Sequence, residues 1–449
     1  MSKKIKRRQF LAGMAAAPAV GLAATAGKAV AQTAPAPASS IPPVPMTDRP
    51  TNDMPPQTIG KTGSDFMVDC MKALDIEYIA SCPGSTFRGI HESIINYGDN
   101  KTPEFITTLH EDTAAAMCHG YYKVAKKPMA CMVHGTVGLQ HASMAIYNAF
   151  ADRVPMLVLS GSIGNPVTRQ AYIEWNHAAQ DQAAIVRDIT KFDDQPTSLQ
   201  AFAESMVRSY EIMTTVPMAP VLITADGDLQ EDPIPPEVEK KLRIPKLKAR
   251  SQPAGDLLAV REAAKMLIAA ENPVIYTNRY GRTENAPAQL IALAELIGAP
   301  VVDAHNRMNM PNRHPLNHSF RREAALQAAD LILALEPIDL WGLNNYVPDL
   351  VTRPNDPRRR NANLKIIHIG TESMMAKSNF QDFQRFAEAD LHIAGDAEAT
   401  MPALMEALKW RRSVDRHSRP ERCAAPRAGC PYAVVPSPAW WRSRARMSA

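Results

Sequence analysis

The 449-residue sequence has no pair of cysteines at C-x-x-C spacing, although it carries six: Cys70, Cys82, Cys118, Cys131, Cys423 and Cys430. That excludes the common zinc-finger and zinc-ribbon frameworks, which need closely paired thiolates. It also has no unbroken apolar run of membrane length. Its longest weakly apolar stretch, near the N terminus, is interrupted by Pro18, Gly21 and Gly27, whereas a spanning helix needs about 20 apolar residues. No stable membrane insertion is expected. Nor is there a basic body to hold nucleic acid. The formal net charge is +4, but residues 1–31 carry six basic side chains and no acid, and residues 411–449 carry nine arginines against two acids. Without those ends the body stands at about −9, so no nucleic-acid partner is expected. What remains is 45% apolar and 21% charged, the composition of a folded globular protein with room for two or three domains.

The N terminus places Arg7-Arg8 after Lys3, Lys4 and Lys6, follows them with Gln9, Phe10 and Leu11, and closes an Ala-rich run with Ala29-Val30-Ala31. This resembles a twin-arginine signal, which implies export of a folded protein, cleavage near Ala31 and a periplasmic mature chain. Residues 1–31 are therefore set aside as signal, and the intact mass of the exported chain is the check. Folding before export means folding under reducing conditions, so Cys70, Cys82, Cys118 and Cys131 are expected as buried free thiols. Residues 32–58 form a Pro-rich linker without core-forming residues.

From residue 59 to 234 amphipathic helical segments alternate with short apolar strands. GSDFMVDCMKALD reads as a helix and IEYIASCPG as a strand entering a turn. EFITTLH is a strand, EDTAAAMCHGYYKV a helix and PMACMVHG a strand; TVGLQHASMAIYNAFAD is a helix and VPMLVLSGS a strand. Residues 235–256 are charged and Pro-bearing, a linker. Residues 257–410 repeat the same grammar through PVIYTN, PVVDAH, LILALE and LKIIHIG. The fold class expected is α/β, two doubly wound parallel-sheet domains in tandem. Residues 411–449 break the pattern with five prolines, nine arginines and no lysine. They read as a disordered basic tail or, favoured by the abrupt change, as out-of-frame translation.

Within the first unit the order of motifs is specific. Pro83-Gly84 follows a strand, His110-Glu111 follows another, and small residues 114–116 and Gly120-Tyr121 come next. A Gly-rich turn at 135–138, then Asn148 and the Asp-x-x-Pro of 152–155 complete the series. This resembles the pyrimidine-binding domain of the thiamine diphosphate-dependent enzymes, in the branch of acetolactate synthase and benzoylformate decarboxylase. The second unit resembles the family's central domain, ending as it does in DLHIAGDAEATMPALMEAL. The resemblance covers residues 60–410 and departs from the family at Thr113 and at Gly135-Thr136-Val137, where glycine and Gly-Pro-Gly are usual.

The resemblance implies thiamine diphosphate as cofactor, with Glu111 as its activator and Pro83, Gly84, Gly135 and Asn148 beside it. The chemistry asks for such an acid: a carboxylate bonded to the aminopyrimidine in a dry site favours the imino form that makes the thiazolium carbon reactive. Taken alone, Glu111 would be read as a helix-start acid facing the macrodipole. His110 and His134 are candidates for the substrate side. His110, His119, His134 and His141 fall on different elements without H-x-x-x-H spacing, so no protein metal site is expected. His119 reads as a packed polar residue.

The family's third domain holds magnesium and the diphosphate through Gly-Asp-Gly and a later Asn, since a hard cation takes oxygen ligands beside phosphates. ADGDLQ at 225–230 and AGDAEA at 394–399 lack the Asn, and Asn379 is the last in the chain. The expectation is a 2-oxo-acid carboligase or decarboxylase truncated after two domains and inactive alone. The alternatives are a non-enzymatic exported binding protein, or one chain of a split enzyme whose magnesium domain is a separate chain. A homodimer or homotetramer is implied, and flavin is not expected, because PVIYTNRYGRTE has no Gly-rich turn.

Overall fold

A computed structural model describes residues 60–163, 177–248, 250–304, 307–345, 363–375 and 386–418. The signal, the Pro-rich linker, Cys423 and Cys430 lie outside these residues, as does the tail from residue 419.

The first unit is a six-stranded parallel sheet in the order β2-β1-β3-β4-β6-β5. Its strands are β1 (Tyr78–Ser81), β2 (Glu104–Thr107), β3 (Ala130–Val133), β4 (Leu157–Ser162), β5 (Phe192–Asp194) and β6 (Val221–Asp226). Its main helices are α1 (Gly63–Ala73), α2 (Glu111–Ala125), α3 (Gly135–Ala151) and α4 (Leu199–Thr214). Strands covered on both faces should be apolar without a break, and β3 and β4 are buried at every residue. Their side chains alternate between two cores. Ala130 and Met132 of β3 join Leu157 and Leu159 of β4 on the side of α1 and α4, with Phe66, Met71, Phe202 and Met206. Cys131, Val133 and Val158 point the other way, onto α2 and α3. There the small side chains Ala114, Ala115, Ala142 and Ala149 let α2 and α3 pack closely against each other and the sheet. Helix α1 is set by a capping box: the Thr62 N–H donates to Asp65 and the Asp65 N–H to the Thr62 hydroxyl.

The second unit has five parallel strands in the order β11-β10-β9-β7-β8. These are β7 (Pro273–Thr277), β8 (Val301–Asp303), β9 (Leu331–Leu335), β10 (Lys365–Gly370) and β11 (Leu391–Ala394). Helices α5 (Leu257–Ala269), α6 (Ala286–Ile297) and α7 (Ala397–Ser418) contribute to a core with Leu331, Leu333 and Leu335 of β9, while Ile332 and Ala334 face a smaller one. Two parallel-sheet α/β domains are thus what the sequence folds into.

Four details differ from the sequence reading. Helix α7 runs past residue 410 to Ser418, because arginine is a good helix former and nothing before Pro420 forbids the next turn. The segment 235–256 is not a bare spacer: Leu242, Ile244 and Leu247 pack on the first core, and Gln252 bonds the backbone of Thr214 and Val216. Strands β5, β6 and β11 were not separately foreseen. Cys70, Cys118 and Cys131 are buried and free as expected, whereas Cys82 is free but half-exposed at the end of β1.

Candidate functional site

The carboxyl ends of β1, β2, β3 and β4 converge on one place, where open parallel sheets present ligands. From β1 comes Cys82-Pro83-Gly84, from β2 the turn leading to His110 and Glu111, and from β3 His134 and Gly135. Glu111 is the first residue of α2, and its side chain is only 11% exposed. Oε2 lies 2.8 Å from His141 Nδ1 on the facing helix α3. A Cβ on Gly138, one turn earlier on α3, would stand 3.1 Å from Glu111 Oε1 and 3.1 Å from the Cβ of His134. The floor beneath the acid is therefore open only because it is glycine. Gly84 plays the same part for His134, whose Cδ2 would lie 2.7 Å from an added Cβ.

His134 is the N-cap residue of α3. Its Nδ1 is 3.0 Å from the Thr86 hydroxyl, which also accepts the Gly135 N–H at 3.0 Å. The ring stacks on His177, with centroids 4.3 Å apart and planes 19° from parallel. Burial, then the neighbouring His177, push the basicity of His134 down, with Glu111 opposing them. His110 places its ring edge-on to His141 at 5.1 Å. Half-exposed Cys82 is 3.6 Å from the Leu109 carbonyl, and burial and Glu111 push its thiol pKa up.

The structure thus brings Pro83, Gly84, His110, Glu111, His134 and Gly135 to one end of the sheet. It does not bring Asn148 there. That residue is exposed on α3, ten residues beyond Gly138, about 15 Å along the helix. Thr86 and His177 were missed by sequence reasoning, and His141 was noticed without its pairing to Glu111. Nothing local in the sequence marks Thr86 or His177, because their contacts depend on the strand order.

The far end of α3 is fastened to the second domain. Asp152 receives His119 Nε2 at 2.9 Å, Lys123 Nζ at 2.7 Å and Arg307 at 2.6 Å. Burial alone would raise its carboxyl, but the His119 hydrogen bond, the Arg307 charge and Lys123 outweigh it and hold the group well below the usual carboxylate range. Arg307 also donates to the Asp152 carbonyl, and Arg279 to that of Ala151. His119 is therefore a structural partner, as its position in a helix body suggested.

Between the domains lies a small pocket of about 30 Å³ lined by Arg153, Arg279, Arg282, Arg307, Glu336 and Asp396, among others. Arg282 is paired with Asp396 through two hydrogen bonds, at 2.9 and 2.6 Å. Glu336 follows β9 with a left-handed φ of 48°, a conformation side chains rarely adopt. Burial, then Asp396 and Glu372, push its carboxyl up to about 8. Among the described residues no group of three or more His, Cys, Asp or Glu side chains is arranged to hold a metal ion.

The Glu111 end fits one half of a thiamine diphosphate site: a shielded carboxylate beside a glycine, at the carboxyl ends of the strands. The comparisons agree. Residues 61–185 match the family described as "Thiamine pyrophosphate enzyme, N-terminal TPP binding domain", and residues 260–404 match "Thiamine pyrophosphate enzyme, central domain". Acetolactate synthase of Mycobacterium bovis is 25% identical over 360 residues, 78% of this chain and 53% of that protein. "Probable 2-ketoarginine decarboxylase AruI" of Pseudomonas aeruginosa is 26% identical over 364 residues, 77% of this chain and 58% of that protein. Among solved structures, benzoylformate decarboxylase of Polynucleobacter necessarius superposes with a TM-score of 0.62 at 19% identity, covering 78% of this chain and 61% of that one. The chain spans little more than half the length of these curated relatives. On the two matched domains and the site they frame, the chain belongs to the thiamine pyrophosphate enzyme family.

Proposed function

We propose that this chain carries the pyrimidine-activating half of a thiamine diphosphate enzyme that acts on a 2-oxo acid, by decarboxylation or carboligation. The observation that carries the reading is the Glu111 carboxylate, shielded from solvent beside the glycine floor at the carboxyl ends of the strands. Thiamine diphosphate, when bound, supplies a ring carbon acidic enough to become a nucleophile toward the keto carbon. Glu111 would hydrogen-bond the ring nitrogen opposite the amino group of the aminopyrimidine, and His141 on Oε2 fixes the carboxylate's orientation. Gly84 and Gly138 keep side chains off the ring's approach, while Leu139 and Ala142 form part of the apolar packing behind it.

Magnesium and the diphosphate take fixed oxygen ligands, and the reading includes dependence on a further domain or chain that supplies them for full activity. A second copy of this chain is the proposed neighbour of the exposed α2–α3 face. The acetolactate synthase and decarboxylase names of the relatives support a 2-oxo acid as the substrate class.

Calorimetry with thiamine diphosphate and magnesium on the mature chain, beside Glu111→Gln, tests the activator role. Binding that weakens tenfold or more in Glu111→Gln is expected where the cofactor is held at all, the loss of a charge-assisted hydrogen bond being worth about 1.5–3 kcal/mol. Equal binding by both proteins would sink the assignment of Glu111. No binding by either would place the activity with a completed assembly.

A further inference from the structure

Thr86 stands at a junction that the cofactor reading does not use. Its side chain is 3% exposed, and its hydroxyl oxygen meets two nitrogens, the Gly135 N–H and His134 Nδ1, each at 3.0 Å. The Gly135 amide can only donate. Were His134 Nδ1 also to donate, the buried hydroxyl proton would have no acceptor, a costly arrangement that folded proteins avoid. With the hydroxyl donating to Nδ1, the hydroxyl, the Gly135 amide and Nδ1 are all satisfied. The imidazole proton then sits on the opposite nitrogen, Nε2, which has no hydrogen-bond partner among the described residues. The stacked ring of His177 and the close backing of Gly84 fix the plane of the imidazole. Its depressed basicity keeps the ring neutral at pH 7.

We infer that Thr86 is a positioning residue that locks His134 as the Nε2–H tautomer, and that this N–H is the donor that takes an oxygen of the incoming 2-oxo acid. The inference rests on the reading of the Glu111 end as the cofactor and substrate site. A 2-oxo acid offers only acceptors, three oxygens carrying one negative charge, and it must come close to the carboxylate of Glu111. A neutral, fixed N–H beside that acid gives the substrate a partner that binds its oxygen without forming an ion pair with Glu111. It also favours acceptor-rich substrates over protonated amines, because a group that can only donate would leave the N–H unpaired. The lock spans 48 residues of sequence and is made by the adjacency of β1 and β3.

The test is ¹⁵N-histidine NMR on the full mature chain, with His134 assigned by its loss in His134→Asn. In the wild type the His134 proton is expected on Nε2, a result read without cofactor or substrate. Thr86→Val should release the lock and populate the Nδ1–H tautomer, while Thr86→Ser should restore the wild-type pattern. Pyruvate, added with thiamine diphosphate and magnesium, should shift the Nε2–H resonance. Half-saturation should lie about tenfold higher in Thr86→Val and near wild type in Thr86→Ser. An Nδ1–H tautomer in the wild type overturns the inference, and so does a Thr86→Val spectrum unchanged from wild type. An Nε2–H that does not respond to pyruvate removes the donor role. Thiamine diphosphate binding that is equal in wild type and Glu111→Gln would count against the functional reading, while the tautomer result would still decide the lock. Should Thr86→Val not fold, the wild-type tautomer and Thr86→Ser decide the matter.

Discussion

A carboxyl group buried among other carboxyls stays protonated, and Glu336 is such a group. Asp396 and Glu372 lie close enough to raise it, against the Ala397 amide and the Arg282 charge, which favour its ionised form. With a folded value of about 8 against an unfolded value near 4.5, the native state holds one proton more than the unfolded chain between those limits. Stability from this group is therefore full below about pH 4.5 and falls as pH rises towards 8. Glu336→Gln, which keeps the neutral shape, should flatten that fall and stabilise the protein above pH 8 by on the order of a few kcal/mol. Urea unfolding at pH 5 and pH 8.5 decides it, and an identical pH slope in both proteins would show that Glu336 ionises freely. Such a residue is invisible in the sequence, where ALEPID looks like any strand end. Its neighbours Glu372 and Asp396 come from the turn after β10 and from the turn before α7. Glu111 was legible for the opposite reason: its motif partners Gly84, Gly135 and Gly138 are turns and floors that demand a particular residue type. His177 and Thr86 carry no such demand.

At the scale of elements, α3 does two jobs. Its N terminus carries Gly135, Gly138 and His141 to the site, and its last carbonyls are held by Arg279 and Arg307 from the second domain. A helix C terminus is the negative end of the macrodipole, so arginines there are well placed. Arg307 is 3% and Asp152 11% exposed in their side chains, and without Arg307 the carboxylate keeps only Lys123 and His119. Arg307→Ala should cost about 1.5–3 kcal/mol in unfolding free energy, read by denaturant titration. The loss should shrink when Asp152→Asn is added, as coupled pairs require. Full additivity would mean that the two side chains do not support each other. The principal helices were readable from their 3.6-residue period and the buried strands from length and composition. Strand β5 was not, because FDD has neither alternation nor an apolar run. The end of α7 was misplaced because a change of composition at Trp410 is not a helix stop.

At the scale of the molecule, the side of α2 and α3 facing away from the sheet is apolar and small. It presents Ala116, Met117 and Gly120 from α2, with Val124 85% exposed, and Val137 and Met144 from α3, the last 62% exposed. The face adjoins Glu111 and His141, which suits a proposed interface with a second copy at the cofactor end. Met117→Glu combined with Met144→Glu should turn a dimer into a monomer by light scattering, with little change in the thermal midpoint of the monomer. A wild-type monomer at micromolar concentration, or a variant that stays dimeric, would refute the pairing. The tandem α/β architecture was legible at this scale from the alternation of elements. The fastening of α3 by arginines 128 and 155 residues further along the chain was not, since no local signal links distant charges.

Both sheets are parallel at every strand pairing. Parallel neighbours cannot be joined by a hairpin, so each contact closes only after a crossover of a dozen residues or more has been ordered. The ends of β4 and β6, for example, meet across 64 residues, at Ser162 and Asp226. Few native contacts reward the early stages of ordering, and the chain must search before it gains. Its assembly is therefore paced by the slow closure of long loops. During that interval the strands that later lie buried in the middle of each sheet are its most aggregation-prone surfaces.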